Sequence, residues 1–153
     1  MMRPVCDARL CFMKMRPALT IIESTLAVCL ICLLAAIAAP GVSRLMDAIE
    51  AREAAIEVET MFSSARHLAI ARGAQTSVEI DTARKIVAVT IGADTLRKRE
   101  LGKDHHVDIK TSRASMSYSA IGLGYGAANM TVVVKRNASF DSVVVSRLGR
   151  VRR

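Results

Sequence analysis

Residues Leu19 to Ala39 form a 21-residue apolar run broken by one charge, Glu23. As a helix such a run spans roughly 31 Å, about the hydrocarbon thickness of a bilayer. It must therefore lie in lipid or against other helices, and it predicts a transmembrane helix over 19–39. Before it stand Arg3, Arg9, Lys14 and Arg16 against a single acid, Asp7, so residues 1–18 carry +3 of the chain's net +8. Basic residues ahead of a first span keep that end cytoplasmic. The segment after the span is then expected on the far side.

The run has three alternative fates. It could be a cleaved secretory signal, with Ala36, Ala38 and Ala39 near the cut; it is longer than the 7–15 residues of an ordinary signal core. It could be a lipoprotein signal ending at Cys29, although Val28 stands where a small residue belongs. Or the helix is kept and the chain is cut before it, at Ala18–Leu19. The third fate accounts for Glu23. A carboxylate near mid-bilayer costs about 2.5–3.5 kcal/mol or more and needs a partner. A cut after Ala18 frees the α-amino group of Leu19, which lies at i and i+4 with Glu23 on one helix face. The amine of one subunit can equally meet the carboxylate of the next, and the pairing then sets the register between helices. The plain alternative is a glutamate reaching back to the interface.

Ala18-Leu19-Thr20-Ile21-Ile22-Glu23 resembles the type IV prepilin cleavage and methylation motif, usually Gly-Phe-Thr-Leu-Ile-Glu, with Ala and Leu in place of Gly and Phe. The resemblance implies that prepilin peptidase cuts after Ala18 and N-methylates Leu19, and that Glu23, the fifth mature residue, acts in subunit assembly. Pro40 falls where such helices commonly kink. Met13-Lys14-Met15-Arg16-Pro17-Ala18 alone would make an ordinary leader, so translation is expected to start at Met13 or Met15 rather than Met1.

Past Pro40 an amphipathic pattern continues. Val42, Leu45, Met46, Ile49, Ile56, Met61, Phe62, Ala65, Leu68 and Ala69 recur near helical spacing, with Asp47, Glu50, Arg52, Glu53, Glu57, Glu59 and Arg66 opposite. Gly73 suits a C-cap. One helix is expected from about residue 20 to 72, bent near Pro40, its second half burying its stripe on a sheet. Beyond Gly73 the period becomes that of strands. Thr76–Ile80 with Lys85–Ile91, and Thr131–Lys135 with Phe140–Ser146, read as hairpins; Thr95–Leu101, Val107–Lys110 and Ser115–Ser119 are weaker strands. The expected organisation is a leader (1–18), a transmembrane helix (19–39), an amphipathic continuation (40–73) and a β-rich domain (74–153), hence an α+β class. With three Phe, two Tyr and no Trp, the core must be aliphatic. All four cysteines, Cys6, Cys11, Cys29 and Cys32, lie in the leader or the run, so no disulfide framework holds the domain.

The stretch Ser63-Ser64-Ala65-Arg66-His67-Leu68-Ala69-Ile70-Ala71-Arg72-Gly73 is similar to the helix end of the GspH/FimT family. Ser142 to Arg152 resembles that family's last strand and tail. The resemblance implies a pilin-like fold and a minor pseudopilin of type II secretion. Its partners would be prepilin peptidase and the major and other minor pseudopilins. It would sit once through the bacterial inner membrane, its C-terminal domain in the periplasm, and enter a periplasmic fibre. The alternative is a FimT-like minor pilin of a type IV pilus that takes up DNA.

Arg147, Arg150, Arg152 and Arg153 are four arginines in seven residues, a pattern able to neutralise phosphates. Gly149-Arg150-Val151-Arg152 also looks like the G-R-x-R tail of FimT-type proteins, which makes Arg150 and Arg152 the main DNA contacts, supported by Lys135, Arg136 and Arg147. A solvated tail, or one docked on an acidic neighbour, is the alternative, and no aromatic interleaves the arginines for base stacking. Asp104, His105, His106 and Asp108 read as a polar surface loop rather than a metal site. Gly122, Gly124 and Gly126 read as a flexible loop or bulged strand, and Arg97-Lys98-Arg99 as a solvated strand edge. No catalytic constellation, metal or cofactor is expected.

Overall fold

The computed structural model describes residues 20–125 and 129–153, so Ala18, Leu19, Gly126 and the proposed start sites lie outside the described residues. The chain divides into two compact units, Met1–Ala38 and Ala39–Arg153. Helix α1 runs from Ile21 to Arg72 and includes Pro40. In the first unit, every described residue is exposed and most are apolar. This helix is long and apolar enough to cross a membrane, and fits a single-pass anchor.

The second unit is α+β. The remainder of α1 packs on two antiparallel sheets built from β1 (Thr76–Asp81), β2 (Ile86–Ile91), β3 (Asp94–Arg99), β4 (Asp108–Thr111), β5 (Ser115–Tyr118), β6 (Gly124–Tyr125), β7 (Met130–Arg136), β8 (Ser139–Val145) and β9 (Val151–Arg152), with a one-turn helix α2 at Leu101–Asp104. One sheet has the order β3-β2-β1-β5-β6 and the other β4-β7-β8-β9. The sequence pattern pointed to a sheet and two hairpins. Both hairpins are present, and the division into two sheets is the addition.

Alternation along the strands explains the core. Val78 and Ile80 on β1 are buried, as are Val87 and Val89 on β2, Met116 and Tyr118 on β5, Met130, Val132 and Val134 on β7, and Val143 and Val145 on β8. Their neighbours along each strand point outward, as the two-residue period of a pleat requires. Register fixes these pairs: Val78 faces Val89, and Ile80 faces Val87. The β7–β8 turn puts Asn137 at φ 51, a left-handed position that asparagine tolerates better than most residues. Asp81 accepts bonds from the backbone N–H groups of Ala83 and Arg84, shaping the β1–β2 turn.

The buried face of α1 differs from the expected stripe. Ala51, Ala54, Ala55, Val58, Met61, Phe62, Ala65 and Ala69 are buried. Val42, Leu45, Met46, Ile49 and Ile56 are exposed instead. Alanines let the strands approach the helix axis, and the bulk needed to fill the gap comes from Met61, Phe62 and the facing valines. Burying a phenylalanine such as Phe62 is worth about 3–5 kcal/mol against alanine.

Candidate functional site

Four regions bear on function: the start of α1, its exposed apolar stripe, the C-terminal arginines and the polar cluster at mid-helix. At the start of α1, the Glu23 carboxylate is exposed in the single chain, and the Glu23 N–H donates to the Thr20 carbonyl at 3.1 Å. Pro40 lies within α1, so its missing N–H is absorbed without ending the helix. Among the bulky exposed side chains after it, Val42, Leu45, Ile49 and Ile56 recur at helical spacing on one face.

The C-terminal arginines sit on a tight turn between β8 and β9. The Gly149 N–H donates to the Ser146 carbonyl at 2.9 Å, and the Ser146 N–H to the Arg150 carbonyl at 2.8 Å. Strand β9 then pairs back on β8, Arg152 opposite Val144. This presents Arg150 and Arg152, both exposed, along a shallow groove of about 310 Å³ lined also by Asn129, Val144, Ser146 and Leu148. Arg147 is exposed beside it. Among the described residues, Arg153 alone of the four has an ion-pair partner, Asp141, at 3.5 Å.

The turn is anchored from helix α1. Arg66 Nη1 donates to the Gly149 carbonyl at 3.4 Å. Gly149 has φ 75, and a Cβ there would meet the Gly122 carbonyl oxygen at 2.7 Å and Arg66 Nε at 3.2 Å. Gly122 itself has φ 76 against Ile70 and Arg66. The Gly124 N–H donates to the Arg147 carbonyl at 2.9 Å. Gly122 and Gly124 are thus contact points rather than a free loop: they let the 119–125 segment and the C-terminal turn meet backbone to backbone, with the Arg66 and Ile70 side chains of the helix end packed against Gly122. The two stretches that carry the family resemblance in sequence touch here. Beneath them Tyr118 is fully buried, and burial pushes its hydroxyl up to about 12, the charge of Arg66 pulling the other way.

At mid-helix Asp104, His106 and Asp108 are exposed, as their polarity suggested, but His105 is not a solvated loop residue. His105 caps α2, its N–H donating to the Leu101 carbonyl at 3.0 Å. Its ring lies against α1, Nδ1 at 2.9 Å from Glu50 and Nε2 at 3.3 Å from Glu57. Burial disfavours the charged ring, but the hydrogen bonds and charges of Glu50 and Glu57 outweigh it, so the net shift is upward. The hydrogen bond from His105, against an opposing effect of burial, holds Glu50 below its ordinary value. Arg136, expected to support phosphate binding, is turned inward. Its Nε donates to Asp47 at 3.0 Å and its Nη1 to the His105 carbonyl at 2.8 Å. Asn137 donates to the second Asp47 oxygen at 2.9 Å, and Arg99 pairs with Glu57 at 3.0 Å. Ligand atoms of Glu50, Glu53 and His105 lie within 4.8 Å of one another, so a metal could be held here. Residues 55 positions apart meet in this cluster, a relation that no local spacing could signal.

An N-terminal apolar helix running into a helix-on-sheet domain defines a pilin-like α+β architecture. Two proteins of known structure share the fold over two thirds of this chain. The type IV minor pilin FimU of Pseudomonas aeruginosa superposes with TM-score 0.60 at 20% identity, covering 67% of this chain and 87% of that one. The same protein in a second crystal form gives 0.57. The minor pseudopilin EpsH of the Vibrio cholerae Type 2 Secretion System superposes with TM-score 0.54 at 13% identity, covering 67% of this chain and 94% of that one. No family model matches the sequence, and no curated protein matches it.

Proposed function

We propose that the chain is a GspH-like minor pseudopilin that contributes to assembly of a type II secretion pseudopilus. Prepilin peptidase cuts after Ala18 and methylates Leu19. The helix then leaves the bacterial inner membrane side by side with those of other pseudopilins, Glu23 pairing with a neighbour's terminal amine, while the C-terminal domain stays periplasmic. The observation that carries this function is an exposed apolar helix continuous with a domain whose fold is shared with a minor pilin and a minor pseudopilin. The unburied stripe of Val42, Leu45, Ile49 and Ile56 adds support, because it offers a neighbouring helix a packing surface. Glu23→Gln tests it: fibre incorporation, followed by cross-linking to the other pseudopilins, should fall while the domain stays folded. Unchanged incorporation would overturn the role of the carboxylate.

A FimT-like minor pilin that binds DNA during uptake is the second reading. Its specific support is the exposed pair Arg150 and Arg152 on the groove. Duplex DNA should bind with a salt dependence that loses a slope of about 2 when both are changed to Gln, at about 0.9 per phosphate contact. Binding that survives the double change would exclude this use of the arginines.

A further inference from the structure

We propose that Glu50, Glu53 and His105 form a binding site for a divalent transition metal of the Zn²⁺ type, with Glu57 orienting the histidine. The site is separate from both functions above and does not depend on either. The ligand atoms of the three residues already lie within 4.8 Å of one another. Tetrahedral zinc with bonds of about 2.0–2.2 Å holds its ligand atoms roughly 3.3–3.5 Å apart, so the three atoms stand within about 1.5 Å of the spacing a bound ion needs. The His105 Nδ1–Glu50 separation, 2.9 Å, is already near that value.

The surroundings are those of a ligating histidine. Such a ring commonly donates its second N–H to a carboxylate, which fixes the tautomer. Here Nε2 faces Glu57 Oε2 at 3.3 Å. The His105 backbone is pinned on both sides, by the Leu101 carbonyl and by Arg136 Nη1. Glu50 and Glu53 stand at i and i+3 on α1, one turn of one face. Charge favours a dication as well. Asp47, Glu50, Glu53 and Glu57 bring four negative charges; two positive ones come from Arg99, paired with Glu57, and Arg136, paired with Asp47 and, at 3.7 Å, with Glu50. A neutral histidine and M²⁺ balance the set. Mixed imidazole and carboxylate donors favour zinc over calcium or magnesium, which take oxygen alone. Glu53 is exposed, leaving a fourth position open to water. The metal would tie α1 to the α2 segment.

Glu53 separates this site from a plain cluster of ion pairs, because the contacts of His105 run to Glu50 and Glu57 and not to Glu53. The test uses the full chain in detergent micelles, with Cys6, Cys11, Cys29 and Cys32 changed to Ser to remove thiol ligands, stripped with a chelator and titrated with Zn²⁺ by calorimetry and metal analysis. One Zn²⁺ per chain is expected, with a raised thermal midpoint. Glu53→Gln should weaken binding by at least about 10-fold while leaving the metal-free midpoint unchanged, and His105→Gln should abolish it. Failure to bind one equivalent would overturn the proposal, and so would equal affinity in Glu53→Gln.

Discussion

Replacing Gly149 with alanine probes the contact on which the arginine turn depends. Two separable costs arise. At φ 75 a Cβ meets its own backbone, which costs about 1–2 kcal/mol in the left-handed region. The same Cβ would sit 2.7 Å from the Gly122 carbonyl oxygen, a backbone atom that can retreat only by moving the 119–125 segment off Arg66. Overpacking of that kind costs a further ~1–3 kcal/mol. Gly92→Ala is the matched control: its φ is 60, but nothing lies within 4 Å of the added Cβ, so only the first cost, about 1–2 kcal/mol, applies. Urea denaturation of the two variants, followed by circular dichroism, reads the difference. With a slope of about 2 kcal/mol per molar urea, Gly149→Ala should lower the midpoint by roughly 0.5–1.5 M more than Gly92→Ala. Equal losses would refute the packing of the turn against Gly122 and Arg66, and with it the fixed presentation of Arg150 and Arg152.

The same geometry sets other outcomes. Phe62→Ala should cost about 3–5 kcal/mol and Ile56→Ala less than about 0.5 kcal/mol by the same urea assay; the reverse order would put the wrong face of α1 in the core. In a Tyr125→Phe background, tyrosinate absorbance should appear only near pH 12, the value to which burial raises Tyr118. Because that raised value belongs to the folded state, the neutral hydroxyl stabilises fully below the unfolded value of about 10, and stability is lost between pH 10 and 12 at up to 1.4 kcal/mol per pH unit. Titration near pH 10 would show that Tyr118 is solvated. With chelator present, the raised His105 value makes its stabilising charge complete below the unfolded value of about 6.5 and lost as pH rises through the folded value. His105→Gln should therefore flatten thermal stability against pH across that window, and an unchanged profile would remove the ring from the ion-pair cluster.

The sequence was informative wherever the signal was local. The apolar run, the change of period after Gly73 and the two hairpins are properties of adjacent residues, and the structure has α1 ending at Arg72 and strands pairing where alternation begins. It misled where bulk stood in for contact. Ile49 and Ile56 have the size of core residues, but the helix meets the sheets through Ala51, Ala54 and Ala55, whose small side chains carry little periodic signal. Strands β6 and β9 are two residues each, too short to show a period. The Arg66–Gly149 and His105–Glu50 contacts join residues 83 and 55 positions apart, and only the fold brings them together. The contact of Gly122 with Gly149 is likewise a property of tertiary packing, not of either local sequence.

The N-terminal sequence and intact mass of the mature protein purified from membranes test the pseudopilin account most directly. The account predicts a chain starting at Leu19 with a methylated α-amine. A start near Pro40, or an uncut leader, would contradict it, leaving a pilin-like fold with no part in a fibre.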